Sequence, residues 1–435
     1  MMARIATAAA AVVLAAWFAY SAVDAFPRQL GIDFYQFWGV PLARHAGAIE
    51  ATPYVDPAPY ARVLNGMADA SGSAKFRDAN RFRRSLEPMA TPFLYAVFSV
   101  FGTDYEAAQR LYTAMLCGAA ALAVFGLARL RGLDATMSAC VALLVLLTFN
   151  PFAQDVRSGN VNSLQLAALV ALVAVSARGW FTGNDWIDGL YLGVLALLVA
   201  FKPNTPWIAL ALGLDYLALR GLRAFAIGVI EAALAALAAF AIGAAAFGGA
   251  HAWSEWLALA RGMDGSGMVL PFERGNLSLA LVASRASPVF GPVGWGMALV
   301  AIVTVAIVLA LTDRGRRGEL LLPAARRAFA DPWFAASVGI VLTFAASPLV
   351  WPHYHVLLLI PIAWLLWPER PCAACVRGAA LCYVILSRAV IDPLVALQAF
   401  NALQALTLLS WLALLPGLLV HATRSRERAA ATTGT

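Results

Sequence analysis

The sequence predicts an all-α integral membrane protein, a bundle of about twelve transmembrane helices with a folded first external loop. Three observations carry this. The 435 residues are 62% hydrophobic and 13% charged, against roughly 45–50% and about 25% in soluble domains, an excess that no soluble core absorbs. Apolar stretches of 15 to 25 residues recur from end to end, the length a helix needs to cross about 30 Å of hydrocarbon. Strand-like alternation is absent, which argues against a β-barrel.

The apolar spans lie at 6–23, 104–128, 136–150, 161–177, 186–201, 204–219, 224–248, 289–312, 333–349, 354–368, 376–391 and 396–421. Several are short for a bilayer, which suits helices that end partway at a water-filled cavity. The first follows Arg4, and Val23-Asp24-Ala25 has the small-residue look of a cleavage site. A retained first helix is expected, because a protein with many later spans needs no cleavable signal.

Arginines in the short turns set the orientation. Arg129, Arg131, Arg178, Arg220, Arg223, Arg314, Arg316, Arg317, Arg326, Arg327, Arg370, Arg377, Arg424, Arg426 and Arg428 fall on one side if the spans alternate. That side is expected to be the cytoplasm of a bacterial inner membrane, with both termini there. The chain then reads as one membrane domain over 1–435, with a first external loop at 24–92, a second at 249–287 and a cytoplasmic tail at 422–435. The first loop is too long to follow the charge rule. Its Gly, Pro and Ser punctuation around a helix-like stretch from Asp33 predicts a folded element on the membrane. The apolar stretch 89–102 is too short to span and reads as re-entrant or interfacial.

The formal charge of +7 resides mostly in these helix-orienting turns, so membrane lipids are expected partners and nucleic acid is not. Five cysteines, mostly within apolar stretches, make no disulfide framework. Cys372 and Cys375 form a C-x-x-C with no second pair to complete a zinc site, and it is read as incidental.

With sidedness taken from arginines alone, the unusual polar residues fall together on the external side. Asp33 stands among aromatics at a helix start. Asn150 to Asn162 carries Asp155, Arg157, Asn160 and Asn162 in one turn. Lys202, Pro203 and Asn204 separate two spans, and Ser347 to His355 precedes another. An acid, amides, cations and histidines at one mouth suit a polar, anionic ligand. Asp33 can act as general base. Lys202, Arg157 and His353 can neutralise a phosphate, and Asn160, Asn162, Asn204 and Tyr354 can bind phosphate or sugar oxygens.

Each residue also has a plain structural reading. Asp33 can be a helix cap, Lys202 a snorkelling anchor, and Asn160 and Asn162 can satisfy a helix N-terminus. Trp351 and Tyr354 can belong to an interfacial belt, and His355 can bond a neighbour. Arg77, Arg81, Arg83 and Arg84 read as a solvated or headgroup-facing set. No clustered carboxylates suggest a metal.

At these residues the sequence resembles glycosyltransferase family 87, membrane enzymes that use polyprenyl-phosphate sugars. The likeness runs through Asp33-Phe34, Pro53-Tyr54-Val55-Asp56-Pro57, Thr91-Pro92-Phe93, Gly159-Asn160-Val161-Asn162, Lys202-Pro203 and Ser347 to Tyr354. It implies a GT-C fold whose first external loop carries a catalytic aspartate, here Asp33. It also implies inverting transfer, mannose foremost, from a polyprenyl-phosphate donor to a glycolipid or polysaccharide hydroxyl, with no cofactor. Lys202 and His353 would then serve the donor phosphate. The family commonly carries glutamine where Asn160 stands, so the amide is kept but shortened. A transporter or flippase is the rival reading, but it would place ionisable groups at the bilayer midplane, where this chain has little beyond Glu231.

Overall fold

A computed structural model describes residues 12–20, 28–262, 275–312, 321–366 and 372–433. Asp24, Arg314, Arg316, Arg317, Arg370, and parts of the second long loop and of the tail lie outside the described residues. Among those described, every regular element is a helix.

The chain runs through α1 (12–20), α2 (Ile32–Gly47), α3 (Ala58–Ala70), α4 (Ala74–Phe82) and α5 (Pro92–Phe98). The bundle begins with α6 (Tyr105–Leu130), α7 (Ala135–Thr148), α8 (Asn150–Ser158), α9 (Asn162–Ala177), α10 (Asp185–Phe201) and α11 (Pro206–Ala246). It continues through α12 (His251–Gly262), α13 (Leu279–Ala286), α14 (Pro292–Leu311), α15 (Leu321–Phe329) and α16 (Pro332–Ala346). A 3-10 turn (Pro352–Leu358) leads into α17 (Leu359–Leu366), then α18 (Ala373–Ile385), α19 (Arg388–Ala396), α20 (Phe400–Ser410) and α21 (Leu415–Thr433).

The helix starts follow elementary capping rules. Side chains of Ser73, Thr91, Asp104, Asp134, Asn184 and Asp331 accept from free backbone N–H groups of the first turns. Prolines 92, 206, 292 and 332 occupy first-turn positions, where the missing N–H removes no bond.

Among the described residues, four helical stretches are long and apolar enough to cross a membrane: α6, α11, α14 and Asn401–Glu427. A fifth results if α15 and α16, bent by 95° at their junction, form one span. Of the expected twelve, the first (6–23) is described only over 12–20, and several others are shorter than a span. The stretches 136–150, 161–177 and 376–391 form helices of only 14, 16 and 13 residues, because polar or proline-containing turns cut them short. The stretch 354–368 opens as a 3-10 turn and keeps 8 residues of α-helix. Conversely, 204–219 and 224–248 are the two arms of α11, which break at Gly221 (φ 79°).

Two apolar cores result. The larger joins α6, α7, α9, α10, α11, α14, α16 and the C-terminal helices. The smaller is aromatic and belongs to the folded element after α1: Phe34, Tyr35, Trp38, Tyr60, Phe76, Phe98, Tyr105 and Tyr112 are all buried. Phe34 stacks on Tyr112 at 4.9 Å, and Tyr35 donates to Asn80 Oδ1 at 2.6 Å. These contacts fasten α2 against α4 and the start of α6. The stretch 89–102 is largely α5, a seven-residue helix buried against α2 and α11. Cys372 and Cys375, expected to be incidental, are disulfide-bonded at the start of α18.

Candidate active site

Asp33 lies in the first turn of α2, but it does not cap it. The N-cap is Gly31, left-handed at φ 66°, and no side chain bonds the free N–H groups there. The carboxylate faces a cavity of about 670 Å³. Arg83 Nη2 donates to its Oδ1 at 3.1 Å and Asn160 Nδ2 to its Oδ2 at 2.8 Å. Arg83 also pairs with Glu87 at 2.9 Å.

Backbone conformation makes the Asp33–Asn160 bond possible. Gly159 ends α8 in a left-handed conformation, φ 68°, and turns the chain so that Asn160 faces α2. A Cβ at Gly159 would stand 2.7 Å from Phe34 Cβ and 3.2 Å from Gly31 Cα, so only glycine permits this approach. Gly31 N donates to Arg157 O at 3.2 Å, and Tyr112 Oη to Asn160 O at 2.8 Å. The two turns are therefore pinned together.

Lys202 follows the last residue of α10 in the turn before α11. Thr91 Oγ1, at the start of α5, donates to Ala200 O at 2.8 Å and helps fix this turn. The lysine is buried. Its Nζ donates to Asn160 Oδ1 and Asn162 Oδ1, each at 2.7 Å, and lies 4.1 Å from the centre of the Tyr354 ring. The Asp33 carboxylate and the Lys202 ammonium are thus joined through one amide. Burial pushes the Lys202 ammonium down to about 7, against the opposing pull of Asp155 and Asp33.

The cavity also receives Arg157, Asn204, His353 and Tyr354. His353 is buried and its Nε2 has no hydrogen-bond partner. Asn204 Oδ1 accepts from Gln165 at 3.2 Å, while its Nδ2 is buried and unpartnered. Arg157 is exposed at the cavity wall. Tyr354 contributes a ring face beneath the ammonium. Asn162 does not line the cavity but holds Lys202. His355 is fully buried against Phe344, away from the cavity lining. The rest of the lining is mostly apolar, including Phe37, Leu94, Phe201, Trp256 and Leu259.

Two participants were missed by sequence reasoning. Arg83 was grouped with a solvated basic set, yet it is tied to Asp33. Asp155 was quoted without a role, yet it is the buried anchor of Asn162, accepting from its Nδ2 at 2.8 Å. Its only sequence signal is spacing, an acid seven and eight residues before Asn162 and Ser163 across a glycine turn.

The family model of glycosyltransferase family 87 matches residues 89–348, more than half of the chain. The chain belongs to glycosyltransferase family 87. No curated protein and no solved structure matches it. The matched region of this family 87 chain contains Arg157, Asn160, Asn162, Lys202 and Asn204, whereas Asp33, His353 and Tyr354 lie outside it. Folding brings both groups to one cavity, and the apolar helices accord with a membrane glycosyltransferase.

Two outcomes are expected. Gly159→Ala forces a left-handed alanine, costing ~1–2 kcal/mol, and drives its Cβ into Phe34. It lowers the melting temperature in detergent and activity together, because Asn160 is pushed off Asp33. Second, binding of an anionic phosphodiester raises the ammonium's affinity for its proton. Affinity is then greatest below about pH 7 and falls by up to about tenfold per pH unit above it until the bound-state midpoint is passed. Isothermal titration across pH 6–9 checks this (about three units), and Lys202→Met abolishes the dependence.

Proposed function

We propose that this glycosyltransferase moves a sugar, mannose being the first to test, from a polyprenyl-phosphate donor to an acceptor hydroxyl, with inversion. The acceptor is a glycolipid or polysaccharide at the outer face of the bacterial cytoplasmic membrane. The observation that carries the reading is the pairing of Asp33 with Lys202 through Asn160 on one cavity, a carboxylate and an ammonium one amide apart.

The chemistry follows from those charges. The acceptor oxygen attacks the anomeric carbon from the face opposite the phosphate. Its proton passes to Asp33, whose oxygens each keep a lone pair beyond the bonds from Arg83 and Asn160. The bond from the anomeric carbon to the phosphate oxygen breaks, and its electron pair leaves with the polyprenyl phosphate. Lys202 meets the growing negative charge, and burial strengthens that interaction. His353 Nε2 and Asn204 Nδ2, both unpartnered, suit phosphate or sugar oxygens. Arg157 offers a further cation. Trp256, Leu259 and Phe201 suit the isoprenoid chain. These steps balance without a cofactor.

The test is transfer in detergent from a panel of polyprenyl-phosphate sugars to envelope glycolipids, followed by mass spectrometry. Polyprenyl phosphate and glycosylated acceptor are expected without any sealed vesicle, which a transporter would need. Asp33→Asn is expected to fold normally and lose about 10²–10⁴-fold in kcat. A folded, fully active Asp33→Asn protein overturns the assignment of the base.

A further inference from the structure

Asp155 is fully buried and absent from the cavity lining, yet it bonds one of the two side-chain amides that accept from Lys202 and reaches the other through it. Its Oδ2 accepts from Ser163 N at 2.8 Å and Ser163 Oγ at 2.6 Å, and its Oδ1 from Asn162 Nδ2 at 2.8 Å. Burial pushes the Asp155 carboxyl up, against the opposing pull of Ser163, Asn162 and Lys202; in its ionised form it only accepts hydrogen bonds and draws the NH₂ side of Asn162 toward itself. The Asn162 oxygen is thereby turned to Lys202. The same NH₂ also reaches Asn160 Oδ1 at 3.2 Å, which favours the orientation in which that oxygen meets Lys202 while Asn160 Nδ2 meets Asp33. Each amide thus presents nitrogen to a carboxylate and oxygen to the ammonium.

We propose that Asp155 is a positioning residue: it locks the Asn162 amide, and through it braces Asn160, so that both oxygens converge on Lys202 and hold its ammonium at the cavity. This rests on the reading of Lys202 as the group that meets the donor phosphate. Without the carboxylate, Asn162 is free to turn over and present NH₂ to NH₃⁺. The charged or titratable groups facing Lys202 are Asp33 from α2, Asp155 from α8, and His353 and Tyr354 from the 3-10 turn. Asp33 acts on the lysine through Asn160, and Asp155 through Asn162.

The chain contains only two lysines, Lys75 and Lys202, so ¹⁵Nζ-lysine NMR in detergent reads Lys202 directly once Lys202→Arg assigns its signal. Burial pushes Lys75 down to about 8 and Lys202 to about 7, which gives an internal reference. In Asp155→Asn the Lys202 midpoint is expected to fall by about one pH unit or more while Lys75 stays in place. In the transfer assay the donor KM is expected to rise about tenfold, with the alkaline limb of the pH profile moving down by the same shift. Ser163→Ala keeps the charge and loosens only its anchor, and should raise donor KM about threefold and move the Lys202 signal. A folded Asp155→Asn with Lys202 midpoint and donor KM unchanged overturns the proposal. If Asp155→Asn does not fold, an unchanged Lys202 signal and donor KM in Ser163→Ala overturns it. A fallen Lys202 midpoint in a protein whose wild type transfers no sugar would instead overturn the functional reading and leave the positioning role standing.

Discussion

A buried ammonium has to find acceptors, because leaving a charge unpaired in a dry site costs several kcal/mol. Lys202 finds two, the side-chain oxygens of Asn160 and Asn162, and the rest of the site follows from that demand. Committing both amide oxygens to the lysine leaves both amide nitrogens to be received by acids. Asp33 receives one and Asp155 the other. The third ammonium donor is left near the Tyr354 ring, where an incoming anion can compete for it. An arginine would not fit this arrangement, since its planar fork cannot address two converging amide oxygens as a tetrahedral ammonium does.

The demand is met only because two backbone turns come unusually close. Gly31 and Gly159 are both left-handed, and the approach leaves no room for a side chain at Gly159. The aromatic core beneath, with Phe34 stacked on Tyr112, fixes α2 to the first turns of α6. Tyr112 in turn holds the Asn160 carbonyl. Rigid packing of the folded element after α1 thus sets the position of a carboxylate whose partners come from the α8–α9 turn and the C-cap of α4.

Composition made the all-helical membrane class legible, because hydrophobic excess reports directly on the solvent. Span count was less so: hydropathy sees apolar length but not where a cap such as Asp134 starts a helix or a pair such as Asn150-Pro151 ends it, and among the described residues four or five helical stretches are long enough to cross. Asp33, Asn160 and Lys202 were legible as polar residues in apolar surroundings, and the cavity unites them. Arg83 was not, since a helix-end arginine beside Arg81 and Arg84 looks like a solvated charge, and only tertiary packing turns it toward Asp33. Asp155 was hidden for a related reason: a buried anchor leaves no composition signal, and its role appears only when hydrogen-bond directions are traced.

The central claim is that donor phosphate and attacking hydroxyl meet between Lys202 and Asp33. A structure of the Asp33→Asn protein with an intact polyprenyl-phosphate sugar tests it most directly. The phosphate should lie within hydrogen-bond distance of Lys202, with the isoprenoid along Trp256 and Leu259 and the anomeric carbon open toward residue 33. A donor bound elsewhere, or one whose sugar rather than phosphate contacts Lys202, would contradict the account.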